Sequence, residues 1–211
     1  MLSTQPRPPK PWELKRLEPK WYVLRDLSRP NNKRPAYRLL LNMPEIKPFV
    51  FVPIKQQIFY LYGRRIVRTI PFMTDLIFVH KSRAELDPLV RKIELLQYRY
   101  VRGGQRYEPM TVNPEAMQAF IKAVLRCDNP EYYSLKEVSP QLYGKRIRII
   151  GGRLDGLEGR LMSKRGSKTK RILVDLEECN LSAAIEVEAE YIQLVSKRKK
   201  EKASEKPCEQ S

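Results

Sequence analysis

The chain has 211 residues, 42% of them hydrophobic, enough for one domain or two small ones with a real core. Its formal charge of +17 and pI near 9.9 imply an anionic partner, with nucleic acid ahead of an acidic membrane surface. No apolar run approaches a bilayer span and the proline-rich start lacks the apolar core of a secretory signal, so a cytoplasmic protein is expected; Cys127, Cys179 and Cys208 are odd in number and outside metal-ligand spacing, which indicates neither a disulfide framework nor a zinc site.

Residues 1–19 mix proline with lysine and arginine and read as a flexible basic arm. Trp21 to Leu24 reads as a strand, and Asn31, Asn32 and Pro35 signal the start of a short helix carrying Tyr37, Leu40 and Leu41. Phe49 to Ile54 reads as a second strand, followed by a variable-looking stretch that ends in Gly63-Arg64-Arg65 and then by strands over Ile66 to Ile70 and Leu76 to His80. A helix capped by Asp87 and opened by Pro88 fits the apolar face of Leu89, Val90, Ile93 and Leu96. Tyr98 to Arg102 suggests a further strand before Gly103-Gly104. The next helix has Asn113 as N-cap, Pro114 at its first position, Glu115 in its first turn, and Met117, Phe120, Ile121 and Val124 as its stripe. This succession predicts an α+β sandwich over residues 20–127.

Residues 128–141 lack a sustained apolar period and contain Pro130 and Pro140, which predicts a linker and two modules tethered rather than fused, each able to fold alone. Beyond it, Arg146-Ile147-Arg148-Ile149 alternates with the period of a half-buried strand and breaks at Gly151, Gly152, Gly156 and Gly159 into a compact bend before Leu161. Lys164, Arg165, Lys168, Lys170 and Arg171 crowd around Gly166 and Ser167 in a hairpin loop able to grip phosphate. Ile172 to Val174 and Ile185 to Leu194 continue the strand pattern, with Glu186, Glu188 and Glu190 on the solvent face, so this module, residues 142–196, is expected to stay β with no helical state. Residues 197–211 mix signs without apolar anchors and read as a disordered tail.

Residues 21–140 hold 20 Lys or Arg against 11 Asp or Glu, whereas residues 141–196 hold 10 against 8, so the first module carries the electrostatic field. Arg29, Lys33, Arg34 and Arg38 around the first helix, with Arg64, Arg65 and Arg68 further on, are read as a shared electropositive face for nucleic-acid backbone.

The strand, glycine bend and strand around Gly152, Asp155-Gly156, Leu157-Glu158, Gly159 and Leu161 resemble the KOW motif of NusG-type transcription factors, with Arg153-Leu154 standing where the family commonly has Pro-Phe. Upstream, Trp21-Tyr22, Gly63-Arg64-Arg65, Pro71-Phe72 and Leu76-Ile77-Phe78-Val79 resemble the N-terminal (NGN) domain of the same factors. Thr74-Asp75 and Leu76 depart from the usual Pro-Gly and Tyr. The basic N-terminal extension and the segment from Phe72 to His80 are most similar to the UpxY group of NusG paralogues at capsular-polysaccharide loci. The resemblance implies a four-stranded antiparallel NGN sheet flanked by helices, followed by a small SH3-like β-barrel. It also implies docking of Trp21, Tyr22, Phe72, Leu76 and Phe78 on the clamp helices of RNA polymerase, contact with DNA or nascent RNA, and ribosomal or termination proteins as partners of the KOW domain. The implied activity is antitermination on a long operon by a monomer without a cofactor.

Catalytic chemistry finds no support in the sequence. His80 is the single histidine, so no two-histidine metal site can form, and Gly166-Ser167-Lys168-Thr169 lacks the upstream glycine of a phosphate-binding loop. The competing reading is a KOW-type RNA-binding protein of the ribosome or translation apparatus; the module from Trp21 to Val124 favours the transcription factor, because a small ribosomal protein would not need it.

Overall fold

The computed structural model describes residues 16–29, 32–73, 76–101, 108–127, 130–134, 143–163, 170–187 and 192–195. Most of the expected arm and linker, Asn31, Thr74-Asp75, Gly103-Gly104, Lys164, Arg165, Lys168, Glu188, Glu190 and the tail lie outside them. The chain is a mixed α+β protein built on antiparallel sheets.

The first sheet is centred on β1 (Lys20–Asp26), in which Tyr22, Val23 and Leu24 are all buried, the signature of a strand covered on both faces. On one side lies β5 (Ile77–Lys81), with Trp21 opposite His80 and Val23 opposite Phe78. On the other lie β6 (Leu96–Tyr98) and β7 (Thr111–Val112), and β2 (Val50–Phe51) completes the sheet beyond β5. The expected strand from Phe49 to Ile54 is thus cut to two residues. Pro48 sits in a 3₁₀ turn over Lys47–Phe49, and Pro53, which has no N–H for a ladder, ends the strand. Of the expected strand from Tyr98 to Arg102, whose last residue lies outside the described ones, Tyr98 closes a strand that begins at Leu96 and Tyr100 makes an isolated antiparallel bridge to Pro109.

Two helices cover the face that carries Tyr22, Leu24, Ile77 and Val79. The first, α1 (Ala36–Leu41), starts after Pro35 and is capped from outside: Asp26 Oδ2 accepts from Tyr37 N–H at 3.0 Å, and Ser28 Oγ accepts from Ala36 N–H at 3.3 Å. The second, α2 (Arg83–Lys92), is capped by Ser82 and starts five residues before the expected Pro88. Ser82 Oγ accepts from Glu85 N–H at 3.3 Å and Glu85 Oε2 accepts from Ser82 N–H at 3.0 Å, a reciprocal pair that satisfies two otherwise orphaned donors. Pro88 then lies inside the helix, where it has no amide to donate to the Ala84 carbonyl. Asp87 does not cap; buried, it accepts from Tyr98 Oη at 2.9 Å and from Arg16 Nη2 at 2.6 Å.

Lys81 Nζ donates to Glu85 Oε1 at 2.9 Å, and with the Ser82 hydroxyl and amide it holds the Glu85 carboxyl down to about 2. Because the folded value lies below the ordinary 4.5, the contribution of this cap is complete above pH 4.5 and is lost as pH falls towards 2. Ser82→Ala should therefore cost about 1 kcal/mol at pH 7. The gap between variant and native chain in urea titrations should narrow between pH 4.5 and 2.

The third helix, α3 (Pro114–Leu125), begins as expected: Asn113 Oδ1 accepts from the amides of Glu115 and Ala116, and Pro114 occupies the first position. Met117, Phe120, Ala123 and Val124 are buried, and Ile121 packs beside them.

A second sheet of six antiparallel strands, ordered β13-β9-β10-β11-β12-β8, follows: β8 (Glu131–Ser134), β9 (Tyr143–Ile149), β10 (Glu158–Ser163), β11 (Lys170–Leu176), β12 (Leu181–Val187) and β13 (Ile192–Leu194). The expected late strand divides here, with β12 beside β11 and β13 beside β9. Where it is described the alternation holds, with Ile185 buried, Glu186 exposed and Val187 packed against the core; upstream, in the part of β12 not expected, Leu181 to Ile185 is buried throughout.

The two units are not merely tethered. One continuous hydrophobic cluster runs from Val23 and Phe78 of the first sheet, with Leu76 just before β5, through Met117 and Phe120 of α3 to Ile172, Val174, Leu181 and Ile185 of the second. α3 is thus a shared layer, packed against β1 on one side and β11 and β12 on the other. Strand β8 falls inside the expected linker and pairs with β12, Tyr132 opposite Ala183. Polar ties add to the junction: Lys122 Nζ donates to the Asp155 carbonyl, and Asn113 N–H to Glu178 Oε1 at 3.3 Å. No helix among the described residues is long and apolar enough to cross a membrane.

Candidate nucleic-acid interface

The stretch read as variable is a β-hairpin. β3 (Ile54–Leu61) pairs with β4 (Arg64–Pro71) over its whole length, from Ile54 opposite Pro71 to Leu61 opposite Arg64, and forms a sheet of its own. Its base is fixed where Phe72 N–H donates to the Pro53 carbonyl at 2.8 Å. Gln56 and Gln57 interrupt the apolar alternation of β3, which hid the strand. The readable signal was Tyr62-Gly63, two residues between runs rich in β-branched and aromatic side chains. Both turn residues have positive φ, 48° at Tyr62 and 72° at Gly63, as a two-residue turn matching the strand twist requires. Glycine adopts this freely, whereas a bulky aromatic does so at a cost of roughly 1–2 kcal/mol.

Cross-strand register fixes where the arginines stand. Arg65 is opposite Tyr60 and shares a face with Ile58 and Val67; Arg64, opposite Leu61, shares the other face with Arg68, whose guanidinium lies 5.4 Å from the Phe59 ring centre. Arg64 and Arg65 therefore begin a strand on opposite faces rather than lying in a loop on one surface. Arg64, Arg65 and Arg68 are exposed, as are Arg29, Lys33, Arg34 and Arg38 around α1.

In the second unit, Lys170 is exposed, but Arg171 is engaged. Its guanidinium donates to Glu131 Oε2 at 2.5 Å and to Glu186 Oε1 at 2.9 Å, and these carboxylates stabilise its charge in place. Arg171 thus ties β8, β11 and β12 together rather than presenting itself to phosphate. Lys164, Arg165 and Lys168 lie outside the described residues.

Of the five residues expected to dock on polymerase, Tyr22, Leu76 and Phe78 are core, each at most 4% exposed. Tyr22 points to α1 and α2, whereas Leu76 and Phe78 face α3, so none is available to a partner. Trp21 and Phe72 are half-buried. Trp21 stacks at 5.0 Å on His80, which places the single histidine in a packing role, and Phe72 lies 5.3 Å from the Tyr132 ring with Lys55 Nζ 5.3 Å from its own centre. Phe72 stands on the wall of a cleft of about 1410 Å³ between the hairpin base, the end of α3 and the second sheet, lined also by Lys55, Arg126, Tyr132 and Arg153. Burial pushes the Tyr132 hydroxyl up to about 12, so it stays neutral there.

The glycine bend joins β9 to β10. Gly152 and Gly156 have φ of 67° and 74°, and Gly151 N–H donates to Asp155 Oδ1 at 2.6 Å, which closes the turn over buried Leu157. Gly159 answers a different need. A Cβ there would lie 2.3 Å from the Leu173 carbonyl oxygen and 2.6 Å from Ile172 Cγ1, so only glycine admits the close approach of β11. Compared with models of known protein families and with curated protein sequences, the chain matches none.

Proposed function

We propose that the chain is a NusG-type transcription elongation and antitermination factor, with an NGN-type unit that docks on RNA polymerase and a KOW-type unit that supplies a second contact. The observation that carries this reading is the central pairing of two segments distant in sequence. The strand opened by Trp21-Tyr22 runs antiparallel to Ile77-Phe78-Val79, with Trp21 opposite His80, in the sheet that α3 covers. Trp21 and Phe72 are the docking residues, since they alone of the expected set reach the surface. Tyr22, Leu76 and Phe78 act by holding the sheet beneath them.

The basic stretch from Arg29 to Arg38 and the hairpin arginines serve the nucleic acid that polymerase exposes, by charge-assisted contacts to phosphate. Assignment to the capsular-polysaccharide UpxY group follows the segment from Phe72 to His80 and implies readthrough of a long operon in the cytoplasm.

Affinity purification of the tagged full chain at moderate salt, after nuclease treatment, tests the reading. RNA polymerase core subunits are expected in the eluate, and Trp21→Ala should reduce their capture about tenfold or more. Recovery of ribosomal proteins without polymerase would replace it with the translation-apparatus reading.

A further inference from the structure

Beside the arginines already assigned to nucleic acid, the hairpin carries two tyrosines that the polymerase reading does not use. Tyr60 is 76% exposed and Tyr62 is 95% exposed, so both rings stand in solvent at the tip. Tyr62 occupies a left-handed turn position where Asn or Gly would fit without strain; a large aromatic side chain there contributes nothing to the core. From residue 54 to residue 71 the hairpin holds Lys55, Arg64, Arg65 and Arg68 and no Asp or Glu. Ile58 and Val67 lie exposed behind the tip, on the Tyr60 face. Exposed aromatics beside unopposed cations are the chemistry of base stacking with phosphate neutralisation.

We propose that the β3–β4 hairpin is a binding platform for single-stranded nucleic acid, on which Tyr60 and Tyr62 stack successive bases while Arg64 and Arg65 hold the backbone. The register supports the division of labour. Tyr60 and Arg65 share one face, Arg64 lies on the other, and Tyr62 caps the tip between them, so a strand crossing the tip meets cations on both sides of the aromatic pair. A duplex buries its base faces in the stack and offers the rings nothing equivalent. Eight-residue strands extend about 26 Å, long enough to carry the tip away from the body of the protein. The proposal shares the hairpin arginines with the function proposed above and goes beyond it in the stacking tyrosines and the choice of a single strand, neither of which requires polymerase.

The test uses the full chain without polymerase. Fluorescence anisotropy on labelled dT 12-mers and on a 12-bp duplex, at several salt concentrations, is compared for the native chain and two variants. Tyr60→Thr/Tyr62→Asn keeps strand and turn preferences and should lower single-strand affinity about tenfold or more with an unchanged salt slope. Arg64→Gln/Arg65→Gln should lower the slope by about 1.4, the equivalent of two phosphate contacts. Photocrosslinking of 5-iodouracil oligonucleotides should map to Tyr60 or Tyr62. Unchanged affinity in the tyrosine variant, tighter binding to the duplex, or crosslinks confined to other residues would overturn the proposal. So would a native dimer, seen by sedimentation, that the tyrosine variant dissolves without loss of oligonucleotide binding, since the face would then hold a second copy. Loss of polymerase capture with these results intact would sink the function proposed above and leave the platform standing.

Discussion

Phe120→Ala should destabilise the whole chain by about 4 kcal/mol, because it empties a site shared by both sheets. The Phe120 side chain has no exposed surface; its ring stands at 90° to Phe51, 6.1 Å away, and 6.3 Å from Tyr132 of β8. Removing it opens a cavity where the two units meet, and neither can collapse into it without parting from the other. Urea unfolding followed by tryptophan emission and by far-ultraviolet circular dichroism should give one coincident transition for the native chain. The variant should show a lower midpoint, and Phe120→Leu, which keeps most of the volume, should cost about 1 kcal/mol. Two separate native transitions, one per sheet, or a loss below about 1 kcal/mol in Phe120→Ala would contradict the shared core. The same packing changes what to expect of a fragment ending at Pro130: it would expose the face of α3 that β11 and β12 cover, and should be poorly soluble rather than independently folded.

A second large effect is expected at Gly159. Its missing Cβ leaves space that a backbone carbonyl and a buried isoleucine fill, so Gly159→Ala must push β10 from β11 and should cost about 3 kcal/mol. Gly152→Ala meets no atom within 4 Å and is strained only by its positive φ, which sets its cost at roughly 1–2 kcal/mol. Thermal melts of the two variants should rank in that order. A reversed ranking would mean that the turn conformation, rather than the strand contact, is what the motif protects.

Local chemistry was readable where it had no competitor. Asn113-Pro114-Glu115 carries a complete start signal within a single turn, and α3 begins there. At α2 two starts competed. Asp87-Pro88 is sound in isolation, but Asp87 is claimed by Tyr98 and Arg16, far along the chain, and Ser82 with Glu85 caps the helix at both ends of a reciprocal pair. Pairs of adjacent residues misled for a geometric reason. Arg64-Arg65 and Trp21-Tyr22 look like units in the sequence, but a strand sends neighbours to opposite faces. So Tyr22 enters the core under α1 and α2, while Trp21 lies on the Val23 face, packed at the edge of the core under α3 and only half-buried near the start of the strand. The union of the two units was not legible because a helical stripe reports that a helix is covered, not by how many layers. Strand β8 sits between stretches that read as loop, and only its pairing with β12 identifies it.

The position of α3 between two sheets also orders events during synthesis. Every partner of its first-sheet side precedes it in the chain, whereas β11 and β12 are completed only at Leu176 and Val187. At ordinary translation rates the ribosome needs roughly 3 to 12 seconds to extend the chain from Leu125 to Val187. For that interval the nascent first unit carries an uncovered apolar helix face, which makes the growing chain a client for chaperones until its own later strands arrive.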